Sequence, residues 1–427
     1  MIRIYKYGEV PSKEIFDRES PTQNVSGIVS DIIEDVKKRG DEALLYYCEK
    51  FDGAILDSLE VSAEEIDEAI ALVPSAFLKI LEEARDNIAA FHERQKRDGF
   101  RIEEKNGVVI GQRVTPIEKV GLYVPGGTAA YPSTVLMDSI PAKIAGCKEI
   151  VIVTPPMKNG KVNPVILAAG RIAGVDRIFK VGGAQAVAAL AFGTGSVPKV
   201  DKIVGPGNAF VAEAKKQVFG AVDIDMIAGP SEILVVADAK SNARHVAADM
   251  LSQAEHDRNA SAVLVTDSLD FAESVSAELE KQIPKLARAE IARASIDKNG
   301  KIIVAENNID LAIDIANEIA PEHLELSLDD PFKYLDKVKH AGSVFMGRYC
   351  PEALGDYFAG PNHTLPTSGT ARFSSPLGVH DFVKTTQFTY YTKEALSAVA
   401  DKVAYFANME GLGAHAKSAV IRFEEDE

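Results

Sequence analysis

Two hydrophobic patterns divide the chain near residue 120. The ranges 21–50 and 63–98 are predicted to be helical, and in the second range apolar residues recur at close to a 3.6-residue period. Beyond Val120, short β-rich runs alternate with segments rich in alanine and leucine, such as 162–173 and 184–192. This alternation predicts βαβ units and a parallel sheet covered by helices. The predicted strands are 120–124, 149–155, 177–183, 202–207, 232–238, 261–267, 301–306, 323–328 and 342–347.

The second half of the chain repeats the pattern of the first. EIVIVTPP (149–156) and SAVLVTDS (261–268) look alike and each precedes a predicted helix, which suggests a duplicated α/β unit. Residues 348–382 are rich in glycine, proline, serine and aromatic side chains, so we predict an irregular segment there. A long irregular segment in a compact enzyme is usually functional or a linker. A predicted helical tail, 393–417, and an acidic end complete the chain.

Length and charge narrow the class of protein. The 427 residues exceed what one hydrophobic core usually serves, so two or more domains are expected. The net charge, 47 basic minus 63 acidic residues, is −16, which disfavours nucleic acid and anionic membranes as partners. No run approaches the roughly 20 apolar residues of a membrane span, and the first 16 residues lack a signal-peptide core. Three widely spaced cysteines exclude a disulfide framework and a cysteine-rich zinc site, so we expect a cytoplasmic protein.

Three glycine-containing turns follow predicted strands and precede predicted helices. They are VPGG (124–127), VGGAQ (181–185) and VGPGN (204–208). Backbone N–H groups at a helix start can bind phosphate, and glycine allows close approach of a ligand. None of the three is a full G-x-G-x-x-G, and each alone is more typical of an ordinary βα turn. Three such turns in consecutive units favour a nucleotide site.

Two groups of polar residues could carry chemistry. Gln253 and His256 in SQAEHD share one face of a predicted helix. With Asp356 and His415 they would form a nitrogen and oxygen ligand set that suits zinc, although a polar helix face would look the same. Spacing alone does not support this set, because the four residues span about 160 positions of the chain.

A carboxylate and an imidazole are adjacent in APEHLEL (320–326). Glu322 and His323 lie just before a predicted strand, where we expect open α/β sheets to build active sites. These are the two commonest types of general base, although a solvated pair is an equally good interpretation. His92, His363 and His380 remain candidates for a cleft or an irregular segment. No cysteine has an evident activating partner, so a thiol nucleophile is not indicated.

Seven segments in order resemble the histidinol dehydrogenase family over essentially the whole chain. They are YVPGG, KIVGPGN, AGPSEILVVAD, SQAEHD, APEHLEL, ALGDYFAGPNHTLPT and EGLGAHAKS. The resemblance implies an enzyme that uses NAD and zinc to oxidise L-histidinol twice, through L-histidinaldehyde, to L-histidine, the last steps of histidine biosynthesis. The alternatives are an aldehyde-dehydrogenase-like enzyme, which would need a cysteine nucleophile, and a paralogue acting on another amino alcohol. A nucleotide-binding module without catalysis would not need Glu322 and His323 together with the other histidines.

The resemblance also implies the roles of individual residues. One zinc ion per subunit would be held by Gln253, His256, Asp356 and His415, and acid–base chemistry would be carried by Glu322 and His323. NAD would contact Tyr123, Gln185 and Asn208, without the full dinucleotide fingerprint. The substrate would contact the metal ligands and His323, together with Ser231, His363 and Glu410.

The fold implied by the resemblance is a pair of Rossmann-like three-layer α/β/α domains related by duplication, as in aldehyde dehydrogenases, with small N- and C-terminal dimerisation parts. A homodimer with shared active sites is implied as well. The expected division is an N-terminal dimerisation segment (1–20), a first α/β domain with the acid–base pair and metal ligands (21–122 and 234–365), an NAD-binding domain (123–233), and an irregular segment with a helical tail that reaches the partner's active site (366–427).

Overall fold

The computed structural model describes residues 1–9, 11, 25–104, 106–126 and 130–424. Contacts divide the chain into two units. The first unit contains Met1–Gln95 and Ile117–Phe382, and the second contains Lys96–Pro116 and Val383–Glu427. Among the described residues, no helix is both long and apolar enough to cross a membrane.

Fourteen strands within the described residues form three sheets. The strands are β1 (Arg3–Lys6), β2 (Phe100–Glu103), β3 (Val108–Pro116), β4 (Lys119–Tyr123), β5 (Glu149–Thr154), β6 (Arg177–Lys180), β7 (Lys202–Val204), β8 (Asp223–Ile224), β9 (Glu232–Ala237), β10 (Ser261–Thr266), β11 (Lys301–Val304), β12 (His323–Ser327), β13 (Ser343–Met346) and β14 (Val383–Tyr391). All nine strands predicted from the sequence are confirmed, as β4 to β7 and β9 to β13.

Two parallel sheets of the first unit have the same topology. One has the order β6-β5-β4-β7-β8, and the other contains β11-β10-β9-β12-β13 with β1 added beside β11. Numbered along the chain, both five-strand sets have the order 3-2-1-4-5, which is the Rossmann order. The two look-alike runs, β5 and β10, hold the second position in each set. The predicted pair of Rossmann-like sheets is therefore confirmed, and the matching orders agree with a duplication.

Helices cover both faces of the five-stranded sheet because its strands are apolar on both faces. In β5, Ile150 and Ile152 belong to one hydrophobic core, and Val151 and Val153 belong to the other. The helices sharing a core with the two valines are Ser26–Arg39, Asp41–Tyr47, Gly183–Phe192 and Ala209–Val218. Those sharing a core with the two isoleucines are Ala63–Leu72, Ser75–His92, Pro132–Ala145 and Pro164–Ala173.

The six-stranded sheet is covered in the same way. In β9, Ile233 and Val235 pack into one core, and Leu234 and Val236 pack into the other. The first core includes the helices Ala243–Ala254, Leu269–Gln282 and Ala289–Asn299, and the second includes Ile309–Ile319 and part of Phe332–Leu335. Each sheet is thus the middle layer of an α/β/α sandwich.

The N-terminal helices pack differently from the predicted division. The prediction grouped 21–122 with 234–365, but the helices of residues 26–92 share their cores with the five-stranded sheet. The predicted helix 63–98 is also two helices, because Pro74 precedes the second one and cannot continue the first. In the segment 1–20, predicted to mediate dimerisation, β1 pairs with β11, while residues 10 and 12–20 lie outside the described residues.

The second unit combines a small antiparallel sheet with the C-terminal helices. Its strand order is β14-β3-β2, and β14 pairs with β3 along nine residues. The predicted tail is confirmed as three helices, Lys393–Ser397, Ala400–Met409 and Gly413–Val420. The three strands of this sheet were not predicted, because most of their side chains are exposed and show no clear apolar alternation.

Candidate active site

The Glu322–His323 pair lies at the start of β12, beside the start of β9. The backbone N–H of Glu232 donates a hydrogen bond of 2.8 Å to Glu322 Oε2, and His323 Nδ1 lies 2.8 Å from the carbonyl oxygen of Glu232. Open α/β sheets usually bind ligands at the carboxyl ends of their strands. Glu322 and His323 instead lie at the amino ends of β12 and β9. The expectation that a position just before a strand is where such sheets build active sites was therefore wrong.

The contacts of His323 leave one ring nitrogen free. A carbonyl oxygen can only accept a hydrogen bond, so Nδ1 carries a proton and its N–H donates a hydrogen bond to the carbonyl oxygen of Glu232. The neutral ring then has its lone pair on Nε2. Nε2 is buried and has no hydrogen-bond partner among the described residues. Burial lowers the pKa of His323, and burial raises the pKa of Glu322 well above its usual value. A neutral imidazole with an unused lone pair is suited to accept a proton.

Two carboxylates from the helix Glu352–Tyr357 face this nitrogen. Glu352 Oε1 lies 3.8 Å from His323 Nε2, and Asp356 Oδ1 lies 4.0 Å from it. One donor atom from each of the three side chains falls within 4.8 Å of the other two. Like charges one helical turn apart repel, and burial together with Glu352 raises the pKa of Asp356 well above its usual value.

Glu352 is a site residue that the sequence reasoning missed. Burial opposes its ionisation, but attraction to His323 in its charged form and hydrogen bonds from several side chains outweigh burial and lower its pKa. Ser252 Oγ donates to Glu352 Oε2 at 2.8 Å, and the Gln253 side chain also donates to this carboxylate. The signal available was the spacing in EALGD, which puts Glu352 and Asp356 on one helix face.

Three of the four predicted metal ligands interact with Glu352, but only Asp356 belongs to the group of close donor atoms that His323 and Glu352 form. Gln253 is buried in the last turn of Ala243–Ala254, and His256 follows two residues after that helix. Burial lowers the pKa of His256, while the nearby Glu352 raises it. Gln253 and Asp356 contact the same Glu352 carboxylate. The fourth, His415, belongs to the second unit, in the helix Gly413–Val420.

His363 also joins the cluster. Its Nδ1 lies 3.1 Å from the carbonyl oxygen of Asp356 and 3.6 Å from Asp356 Oδ1, and Nε2 lies 3.2 Å from Thr134 Oγ1. Burial lowers the pKa of His363 to about 4, so the ring is neutral at physiological pH. Ser231 comes directly before β9, and Glu410 follows the helix Ala400–Met409 in the second unit. The predicted substrate contacts of Ser231 and Glu410 stay predictions.

The other two histidine candidates have structural contacts. His92 is fully buried at the end of Ser75–His92, where Nδ1 lies 2.8 Å from the carbonyl oxygen of Ile88. His380 pairs with Asp381 at 3.4 Å. We therefore assign His92 to the packing of the first unit and the exposed His380 to a surface ion pair.

Two of the three cysteines are poor nucleophiles. Burial raises the pKa of Cys48 to about 12, and its thiol donates to the carbonyl oxygen of Lys180. Burial raises the pKa of Cys147 to about 11. Cys350 is half-buried and precedes the helix Glu352–Tyr357. A reactive cysteine needs a lowered pKa, so Cys48 and Cys147 do not fit the aldehyde dehydrogenase alternative.

A second site lies at the carboxyl ends of β4 to β7. A cavity of about 930 Å³ is lined there by all three predicted NAD contacts, Tyr123, Gln185 and Asn208. The Tyr123 hydroxyl accepts a hydrogen bond from the backbone N–H of Gly183 at 3.0 Å, and Asn208 caps the helix Ala209–Val218. Two of the three glycine turns, VGGAQ and VGPGN, therefore lead into helices whose first residues line one cavity, as in dinucleotide sites. In the third, VPGG, Gly127 lies outside the described residues.

A family model and similar curated relatives agree on one family. A family model described as histidinol dehydrogenase matches residues 17–423. The chain is 56% identical over 411 residues to histidinol dehydrogenase of Listeria monocytogenes, which covers 96% of each chain. It is 55% identical over 409 residues to that of Syntrophotalea carbinolica, covering 95% of this chain and 94% of the relative.

A solved structure agrees with these relatives. The crystal structure of histidinol dehydrogenase from Elizabethkingia anophelis superposes with a TM-score of 0.93 at 39% identity, covering 99% of this chain and 98% of that one. The similarity therefore extends across both parallel sheets and the second unit. The chain belongs to the histidinol dehydrogenase family of oxidoreductases.

Proposed function

We propose that the protein oxidises L-histidinol to L-histidine through L-histidinaldehyde, with NAD as the acceptor in both steps. The observation that carries this proposal is the buried, neutral imidazole of His323, whose free Nε2 faces Glu352 and the predicted metal ligand Asp356. A base in this state can take a proton from a substrate hydroxyl without first losing one of its own. Family membership supports the same reaction.

The two acid–base residues have different tasks. His323 takes the hydroxyl proton of the alcohol. Glu322 takes a proton from the water that adds to the aldehyde, because burial raises its pKa and makes it a stronger base once ionised. Since both side chains are buried, the aldehyde is shielded from bulk water between the two steps.

The residues present fit a zinc ion. Imidazole, carboxylate and amide side chains are present in the proposed set, and Asp356 lies in a group of close donor atoms with His323 and Glu352. His323 Nε2 and Glu352 Oε1, beside the proposed ligands, are buried and have no hydrogen-bond partner among the described residues. We assign Gln253, His256, Asp356 and His415 as ligands, with one zinc per subunit. When bound, zinc would orient the substrate and withdraw electrons from its coordinating atoms. His323 would remain outside this set as the base.

The remaining contacts complete the proposed site. Tyr123, Gln185 and Asn208 line the cavity that would bind NAD, which accepts a hydride in each step. Ser231, His363 and Glu410 would contact the substrate. Because Glu410 and His415 belong to the second unit, we propose a homodimer in which they serve the partner's site. A cytoplasmic location remains a prediction.

The yield of NADH per substrate tests the reaction. With histidinol limiting and NAD in excess, two molecules of NADH should form per molecule of histidinol, measured by absorbance at completion. An alcohol dehydrogenase that stops at the aldehyde gives one. Histidinaldehyde supplied directly should also give one, which calibrates the assay.

Removal of zinc should abolish turnover, and added zinc should restore it.

We expect His256→Ala to lower the zinc content measured by elemental analysis, whereas Glu352→Gln should retain zinc. Comparing the zinc contents of the two variants distinguishes the assigned ligands from the alternative group of His323, Glu352 and Asp356. Loss of zinc in Glu352→Gln with retention in His256→Ala would instead assign the metal to His323, Glu352 and Asp356. Full activity in verified metal-free protein would contradict any role for the ion.

A further inference from the structure

Asp52 is a polar residue of the cofactor cavity that the proposed mechanism does not use. It ends a π-helical turn, Cys48–Asp52, and Gly53 follows with φ +67°, which turns the chain back on itself. Asp52 lines the same cavity as Tyr123 and Gln185, although it is far from both in the sequence.

The carboxylate of Asp52 lacks a partner. Its Oδ2 is buried and forms no hydrogen bond with any described residue. Burial raises its pKa to about 6, so it is mostly ionised at neutral pH. An unpaired buried carboxylate destabilises a protein unless something donates hydrogen bonds to it. A ligand with hydroxyl groups would meet that need.

Apolar side chains line the same cavity as Asp52. Phe51 is 54% exposed and lines the cavity, and its ring stacks on Tyr47 with a centroid distance of 5.5 Å. Ile28, 55% exposed, and Phe210 also line the cavity. A flat apolar surface next to a hydrogen-bond acceptor suits an adenosine, with the base on the apolar side chains and the ribose at the carboxylate.

The position that normally recognises the ribose carries no acid in this chain. In Rossmann domains a carboxylate about 20 residues beyond the glycine turn binds the ribose hydroxyls. Here β5, the second strand, ends at Thr154 and continues with Pro155 and Pro156, all of which line the cavity. Asp52 brings a carboxylate to that cavity from a helical segment outside the sheet.

We propose that Asp52 accepts hydrogen bonds from the adenosine ribose hydroxyls of NAD and repels the 2′-phosphate of NADP, and so makes the site selective for NAD. The inference rests on the proposed binding of a dinucleotide in this cavity. Lys158 also lines the cavity, and its Cγ lies 3.9 Å from where a Cβ on Gly53 would be. Once the Asp52 charge is removed, Lys158 would attract a 2′-phosphate that no neighbouring carboxylate at position 52 repels.

Binding of NAD and NADP to the dimeric protein, measured by calorimetry, tests the proposal directly. A hydrogen bond to a charged group typically contributes enough for about a tenfold change in affinity, so Asp52→Asn should weaken NAD about tenfold. NADP should bind more tightly than to the wild type, shifting the ratio of the two affinities by about 10- to 100-fold. Lys158→Met in the Asp52→Asn background should reverse the gain for NADP. Asp57→Asn, an exposed carboxylate on the same connection, is the matched control and should change neither affinity.

The outcomes separate the inference from the function on which it rests. If the wild type binds NAD but Asp52→Asn and Asp52→Ser keep its preference over NADP, the role of Asp52 is overturned and the cofactor site stands. If the wild type binds neither nucleotide, both are overturned. Thermal melting of the variants checks that they fold, and removal of an unpaired buried charge should not lower their stability.

Discussion

Glu322→Gln is expected to slow the oxidation of histidinaldehyde by about 10²- to 10⁴-fold, the usual effect of removing a general base. The oxidation of histidinol to the aldehyde should slow much less. Only the second step requires an activated water, and His323 remains available for the first. Glutamine keeps an oxygen that can accept the 2.8 Å hydrogen bond from the Glu232 N–H, so the substitution removes the basic charge while the side chain stays in place.

Rapid-mixing measurements of NADH formation, started from histidinol or from histidinaldehyde, resolve the two steps. Glu325→Gln is a suitable control because it replaces a buried carboxylate of β12, three residues after Glu322, that accepts a hydrogen bond from the Glu352 N–H. Its effect should be similar on both steps. His323→Ala should slow the first step as well as the second. Equal losses of both steps in Glu322→Gln would refute the division of tasks between Glu322 and His323.

The fold was predictable wherever a strand is buried on both faces. Runs such as EIVIVT and EILVVA contain four or five consecutive apolar residues, so their ends could be placed to within a few residues. The exposed strand β14, VKTTQFTYY, carries no such signal, and its pairing with β3 joins positions far apart in sequence. The packing of residues 26–92 was not predictable for a related reason, because an amphipathic helix does not specify which sheet its apolar face covers.

The proposed site residues came mainly from the resemblance to a family, and less from the physical chemistry of the sequence. Spacing could put Gln253 beside His256, but nothing local brings Asp356 to them. The approach of Asp356 to Gln253 depends on how the helices Ala243–Ala254 and Glu352–Tyr357 pack in the first unit. Glu352 escaped notice because its importance comes from the 3.8 Å approach to His323, which is a tertiary contact. Asp52 escaped notice because its lack of a partner appears only in the folded chain.

The second unit has the surface expected of a part that docks on another subunit. Large apolar side chains of its C-terminal helices are exposed: Tyr405 at 70%, Phe406 at 67% and Met409 at 74%. Exposed apolar clusters of this kind mark interaction sites in soluble proteins. The proposed substrate contact Glu410 directly follows the helix Ala400–Met409, and the proposed zinc ligand His415 lies in the helix Gly413–Val420. A second copy of the chain is therefore the partner we propose, with each subunit donating these residues to the other.

Mixing two inactive variants should restore activity if sites are shared in this way. In a dimer of one His256→Ala chain and one His415→Ala chain, one site carries both lesions and the other is intact. Random exchange of equal amounts should then give about one quarter of the wild-type activity per chain. The control mixes His256→Ala with Asp356→Asn, whose lesions lie in the same unit, so each mixed dimer has two damaged sites and no recovery is expected. If the His415→Ala mixture also stays inactive while mass spectrometry shows that subunits have exchanged, each chain uses its own tail.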